Sequence, residues 1–126
     1  ALLAPNGDIG LQLITIDEKA YPLYRKYPDF IQRYIFPGGM LMTKRLLREL
    51  STAAGLQLVE VRDFGSDYAR TLQLWQERFN AAWPQLEIMG FEERFRRMWN
   101  FYLSYCEAGF EKGLINVSQV HLIHDA

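Results

Sequence analysis

The chain holds a single cysteine, Cys106, among 126 residues. No internal disulfide can form, and a lone thiol fits a reducing, cytoplasmic setting. Charge of neither sign dominates: 14 Lys and Arg stand against 15 Asp and Glu, for a net −1. That balance argues against nucleic acid as a partner, because a phosphate backbone demands a basic surplus. No apolar run approaches the roughly 20 residues of a membrane-spanning helix. No basic stretch leads into an apolar core, so no signal peptide is visible. No G-x-G-x-x-G loop is present; Gly38-Gly39 does not follow a strand directly. Histidine is scarce too. His121 and His124 fall on opposite faces of a strand, which disfavours a shared metal, and no metal site is expected. No Ser-His-Asp arrangement is legible.

What is abundant is aromatic. Phe, Trp and Tyr make up 14% of the chain, within a globular composition of 49% hydrophobic and 23% charged residues. The length suits one domain. Ala1 to Gly7 reads as a helix tail followed by a Pro-Asn-Gly turn, which suggests a chain that begins inside a larger protein.

Ile9 to Ile16 reads as a strand, apolar enough for burial on both faces, with Gln12, Ile14 and Ile16 on one side. Asp17 to Tyr27 reads as a loop and Pro28 to Tyr34 as one or two helical turns. The bend Phe36-Pro37-Gly38-Gly39 follows. Pro37 fixes its own φ and the glycines reach angles closed to other residues, so an apolar, sharply bent loop suits a pocket wall. Thr43 can cap a helix to Ala54, with Gly55 as its stop. Leu56 to Phe64 is a second strand, with Leu56, Leu58 and Phe64 on one face and Val59 and Val61 on the other. Ser66 or Asp67 caps a long helix whose Tyr68, Leu72, Trp75, Phe79 and Ala82 recur at helical spacing. Pro84 breaks the chain, a helix runs from Phe91 to about Lys112, and Leu114 to Ile123 is the last strand. The alternation favours an α/β layer. Three strands are few for so many bulky rings, as in half of a larger domain.

Tyr68 is the sharpest candidate for chemistry. In the first turn of a helix, a phenol and free backbone N–H groups can meet an anion together. The same position suits an aromatic packed on the preceding strand. The stripes around Trp75, Phe79, Trp83, Phe95, Trp99 and Tyr102 suit a core or a greasy ligand. Cys106 reads as a small core residue. Arg94, Arg96 and Arg97 read as a solvated helix face, or as a grip on a phospholipid head group.

Several segments stand in one order: Gln12-Leu13-Ile14-Thr15-Ile16, Asp29 to Leu41, Phe64-Gly65-Ser66-Asp67-Tyr68-Ala69-Arg70-Thr71-Leu72 with Trp75 and Phe79, Trp99 to Phe110, and Val117-Ser118-Gln119. Together they resemble the C-terminal part of the cyclopropane-fatty-acyl-phospholipid synthase and mycolic acid cyclopropane synthase family. The resemblance implies an α/β fold, the C-terminal portion of a Rossmann-like class I methyltransferase domain with about three strands covered by several helices. Residues 1–126 would form the acyl-substrate side, and the cofactor half would lie outside them. It implies S-adenosylmethionine-dependent methyl transfer to the cis double bond of a phospholipid acyl chain, closing to a cyclopropane, with bicarbonate as base. Tyr68 matches a tyrosine that hydrogen-bonds this bicarbonate, and Ile16 an isoleucine whose backbone N–H does the same. Ile14 stands where many members carry histidine, so Gln12 is left to supply a donor. Tyr34, Phe36, Gly38, Leu72, Trp75 and Phe79 would line the substrate side. The resemblance also leaves room for another lipid or small-molecule acceptor, for a non-catalytic lipid- or partner-binding module, for peripheral membrane contact and for a homodimer.

Overall fold

The computed structural model describes residues 3, 4 and 6–124. The expected helix tail rests on Ala1, Leu2 and Pro5, which lie outside the described residues; Gly7 N–H donates to the Ala4 carbonyl at 2.9 Å. The chain divides into two compact units, residues 1–64 with 114–126, and residues 65–113.

The first unit is a three-stranded sheet, β1 (Ile9–Ile16), β2 (Leu56–Asp63) and β3 (Ile115–His124), in the order β1-β3-β2 with every pairing antiparallel. The last strand in sequence is therefore the central one. Its apolar content matches that place: Val117, Val120 and Leu122 are buried. β1 departs from the expectation. It is buried only at Thr15 and Ile16, while Leu11, Gln12 and Ile14 are exposed: β1 is an edge strand, and among the described residues its outer edge is met by Met42 alone, at the Thr15–Ile16 end.

β2 also departs from its alternating pattern. Leu58 faces Leu122, but the next pair is Glu60 with His121, so Val59 is an extra residue in a β-bulge. One inserted residue reverses the facing of everything after it. Val61 thus joins Leu56 and Leu58 on the core side, and Val59 turns outward. The helix α3 (Lys44–Ala53) covers that side through Leu47, packed with Val120 and Leu122. Burying each such side chain contributes roughly 1.5–3 kcal/mol. Thr43 caps α3 as expected, its hydroxyl accepting from Leu46 N–H at 3.1 Å.

Between β1 and α3 the polar stretch is not all loop. It forms α1 (Tyr21–Lys26), with Pro22 in its first turn where no N–H is required, and α2 (Phe30–Tyr34). Asp29 opens α2 through a capping box with Gln32.

The second unit is helical: α4 (Gly65–Ala81), α5 (Trp83–Ile88) and α6 (Glu93–Glu111), with α4 packed on α6. α4 starts at Gly65, so Ser66 and Asp67 lie in its first turn and do not cap it. Pro84 starts α5 as well as ending α4. One side of the pair carries amides. Gln76 Nε2 donates to Ser104 Oγ at 2.9 Å and to Asn100 Oδ1 at 3.1 Å, and Asn80 and Asn100 exchange side-chain bonds at 2.6 and 3.1 Å. Among the described residues no helix is long and apolar enough to cross a membrane.

Candidate functional site

In the helical unit the rings form a ladder. Phe91 meets Phe95 at 4.9 Å between centroids, Phe95 meets Trp99 at 5.6 Å, and Trp99 meets Tyr102 at 5.0 Å. Phe79 bridges to it, 6.2 Å from Phe95 and 6.0 Å from Trp83. Tyr68 is half-buried, with Phe110 at 5.0 Å and Trp75 at 5.9 Å, both edge-on. Edge-to-face pairs at such spacing are worth about 0.5–1.5 kcal/mol beyond their burial.

Tyr102 belongs to the same cluster. Burial pushes its phenol up to about 12, and the neighbouring Cys106 thiol and Tyr68 phenol push the same way. Tyr102 therefore stays a neutral hydroxyl throughout the physiological range. Cys106 is buried here, as its place in the aromatic stripe suggested. Leu72 is buried too, whereas Trp75 keeps much of its surface open. Arg96 is tied down by Glu93 at 3.7 Å, Asn80 and the Trp83 face, so it is a structural group and not a free head-group ligand.

In the sheet unit, Gln12, Ile14 and Ile16 share one side of β1, as the period of two requires. Gln12 is exposed, and its Oε1 accepts from Gln119 at 3.1 Å. The Ile16 amide has a partner within the sheet unit. Its N–H donates to the Met42 carbonyl at 3.1 Å and pins the loop before α3, so its one proton is already engaged. Ile14 offers no donor. Tyr68 belongs to the helical unit.

The bend after α2 is built firmly. Phe36 O accepts from Gly39 N–H at 2.9 Å across Pro37-Gly38, and Gly38 has φ +82°, a type II turn with proline and glycine in their favoured places. Gln32 Nε2 holds the Gly39 carbonyl at 3.0 Å, and the Leu41 N–H donates to the Tyr24 hydroxyl at 3.0 Å. Tyr34 and Phe36, expected to line a pocket, stand mostly exposed on this bend.

A polar cluster went unread in the sequence. Thr15 Oγ1 and Ser118 Oγ lie 3.1 Å apart and buried, and Ser118 donates to Asp63 Oδ1 at 2.7 Å. Asp63 is in turn paired with Lys44. Partial burial pushes the Asp63 carboxyl up, but the bonds from Lys44 and Ser118 and the Lys44 charge outweigh it, leaving the group below its ordinary value. The available signal was a serine and a threonine amid apolar strand residues. Among the described residues no cluster of His, Cys, Asp and Glu could hold a metal ion, and His121 pairs with Asp8 at 3.4 Å.

The chain is similar to the tuberculostearic acid methyltransferase UfaA1 of Mycobacterium tuberculosis, 38% identical over 98% of this chain. It is equally similar to the cyclopropane-fatty-acyl-phospholipid synthase of Escherichia coli, 38% identical over 94% of this chain. It spans about 29% of the length of either relative. Among solved structures, the mycolic acid cyclopropane synthase CmaA1 complexed with SAH and CTAB superposes with TM-score 0.86 at 27% identity, over 97% of this chain and 46% of that one. The sheet and helices thus match part of a class I methyltransferase domain. The profile of the mycolic acid cyclopropane synthetase family matches residues 1–120, and the chain belongs to that family.

Proposed function

We propose that this chain forms the acceptor side of an S-adenosylmethionine-dependent methyltransferase acting on the cis double bond of a phospholipid acyl chain. The observation that carries the reading is the ring ladder from Phe91 to Tyr102, with Tyr68 and Phe110, in a member of this family. Methyl addition to an alkene leaves a cationic carbon. Aromatic faces stabilise a cation without acting as nucleophiles, and an apolar surround keeps water from capturing it. Tyr102, held neutral, introduces no competing charge there. The names of the relatives, which include a cyclopropane-fatty-acyl-phospholipid synthase, support a lipid acceptor. So does the alkyl-chain surfactant CTAB in the related complex.

S-adenosylmethionine would supply the methyl group. The described residues do not fit it: no glycine-rich strand-turn-helix lies among them, so the rest of the protein would hold the donor. Calorimetric titration of the isolated chain with S-adenosylmethionine should show no micromolar binding. Such binding would remove the division of labour proposed here.

A second reading keeps methyl transfer but ends it differently. Ile14 stands where a histidine donor was expected, and one relative is named a tuberculostearic acid methyltransferase rather than a ring-forming enzyme. Expression of the full-length protein followed by lipid mass spectrometry separates the two. Acyl chains gain one CH2 in the first reading, and the product keeps its ring after mild hydrogenation. An open methyl-branched or methylene-bearing chain supports the second, and unchanged lipids would refute both.

A further inference from the structure

Two seams join α4 to α6, and they hold the pair in different ways. The first is aromatic: Tyr68 meets Phe110 at 5.0 Å and Phe79 meets Phe95 at 6.2 Å. Ring pairs are favourable over centroid distances of about 4.5–7 Å, so such a seam tolerates sliding. It is also degenerate. Phe91, Phe95 and Trp99 repeat every four residues, so a slip of one helical turn would set Phe79 against another ring.

The second seam is polar and does not repeat. Gln73 Nε2 donates to Glu107 Oε1 at 2.6 Å, Gln76 Nε2 to Ser104 Oγ at 2.9 Å, and Asn80 Nδ2 to Asn100 Oδ1 at 2.6 Å. The partners retreat along α6 as they advance along α4, so these bonds belong to one antiparallel register. A one-turn slip would bring Gln73 to Leu103 or Glu111, and Asn80 to Arg96 or Ser104. Asn100 is the hub. Its Nδ2 donates to Asn80 Oδ1 at 3.1 Å and to the Arg96 carbonyl at 3.0 Å, and its Oδ1 accepts from Gln76 Nε2 at 3.1 Å as well as from Asn80. A side-chain amide has two donor protons and two acceptor lone pairs, and all are used. Directional bonds of this kind select one register from several that an apolar seam allows.

We propose that Gln76, Asn80 and Asn100 are positioning residues: they fix the register of α4 on α6, and through it the carbon of a bound acyl chain that the ring ladder surrounds. The proposal rests on the acceptor-side reading and adds what sets the position of attack. The test is the full-length protein carrying Asn80→Leu together with Asn100→Leu. Gln76 Nε2 keeps Ser104 Oγ and the backbone carbonyl at position 100, 3.2 Å away in the wild type. Replacing both partners of a bond by apolar groups of similar shape is nearly neutral, so the thermal midpoint should hold. The nuclear Overhauser effect between the Phe79 and Phe95 rings should fade as other registers are populated. Two phosphatidylglycerols of equal chain length, with cis double bonds two carbons apart, then compete for methylation. The wild type should favour one on the order of tenfold, and the double variant by about twofold or less, since a misplacement of about 1 Å can cost on the order of a hundredfold in rate.

A folded double variant with an unchanged lipid ratio, or with ring signals of wild-type strength, overturns the inference. So does a double variant that melts far below the wild type, for the amides then hold the fold and not its register. A wild type that methylates both lipids alike also overturns it and leaves the proposed function standing. A wild type that methylates neither removes the proposed function and the selection with it, while the ring signals still decide the register.

Discussion

Ser118→Ala should be far more damaging than the loss of one surface hydroxyl. Ser118 is 0% exposed and Thr15 2%. The serine Oγ sits 3.1 Å from Thr15 Oγ1 and 2.7 Å from Asp63 Oδ1, so alanine removes two contacts and strands the threonine hydroxyl in an apolar surround. An orphaned buried polar group costs about 1–3 kcal/mol. We expect about 2 kcal/mol, roughly a 6–10 °C fall in the unfolding midpoint for a domain of this size. The partner change is the sharper test. Thr15→Val in the wild type breaks a made bond but leaves Ser118 bonded to Asp63, and should cost about 1 kcal/mol. Thr15→Val placed on Ser118→Ala deletes the orphan itself, and should be neutral or stabilising. Denaturant unfolding of the four proteins gives the coupling directly. Strict additivity of the two substitutions would refute the idea that these hydroxyls form one network.

Asp63 adds a pH dependence. Its pKa is lowered in the folded state, so its contribution is present above the ordinary carboxylate range and is lost as pH falls through the folded value. Because both Asp63 and Lys44 are partly exposed, that contribution is about 1 kcal/mol at most; the stability gap between wild type and Asp63→Asn, followed by denaturant unfolding, should close in acid. Gly38→Ala forces a side chain to adopt φ +82° and should cost about 1 kcal/mol by thermal unfolding, with open space around the new methyl excluding a clash as the cause. Ile14→His is placed on an exposed strand position, so the unfolding free energy should change by no more than about 0.5 kcal/mol. In the full-length protein that variant should raise the share of ring-closed lipid measured by mass spectrometry, and an unchanged product ratio would separate position 14 from the outcome.

The amino-acid order by itself determined the local elements, because each is written in short-range physics. Thr43 and Gly55 bracket α3, Pro37-Gly38 demands a type II turn, and the ring spacing from Tyr68 to Phe79 and from Phe95 to Phe110 specifies two amphipathic helices. The family resemblance was legible for the same reason, since its segments are contiguous. Only the tertiary structure decided which strand is central, because pairing partners lie up to 113 residues apart and periodicity carries no information about neighbours. It decided the side to which Val61 points, since a bulge at Val59 shifts the register without any local sign. It also decided the use of the Ile16 amide and the Thr15–Ser118–Asp63 contact, for a hydrogen bond between distant segments exists only once the chain has brought its two atoms together.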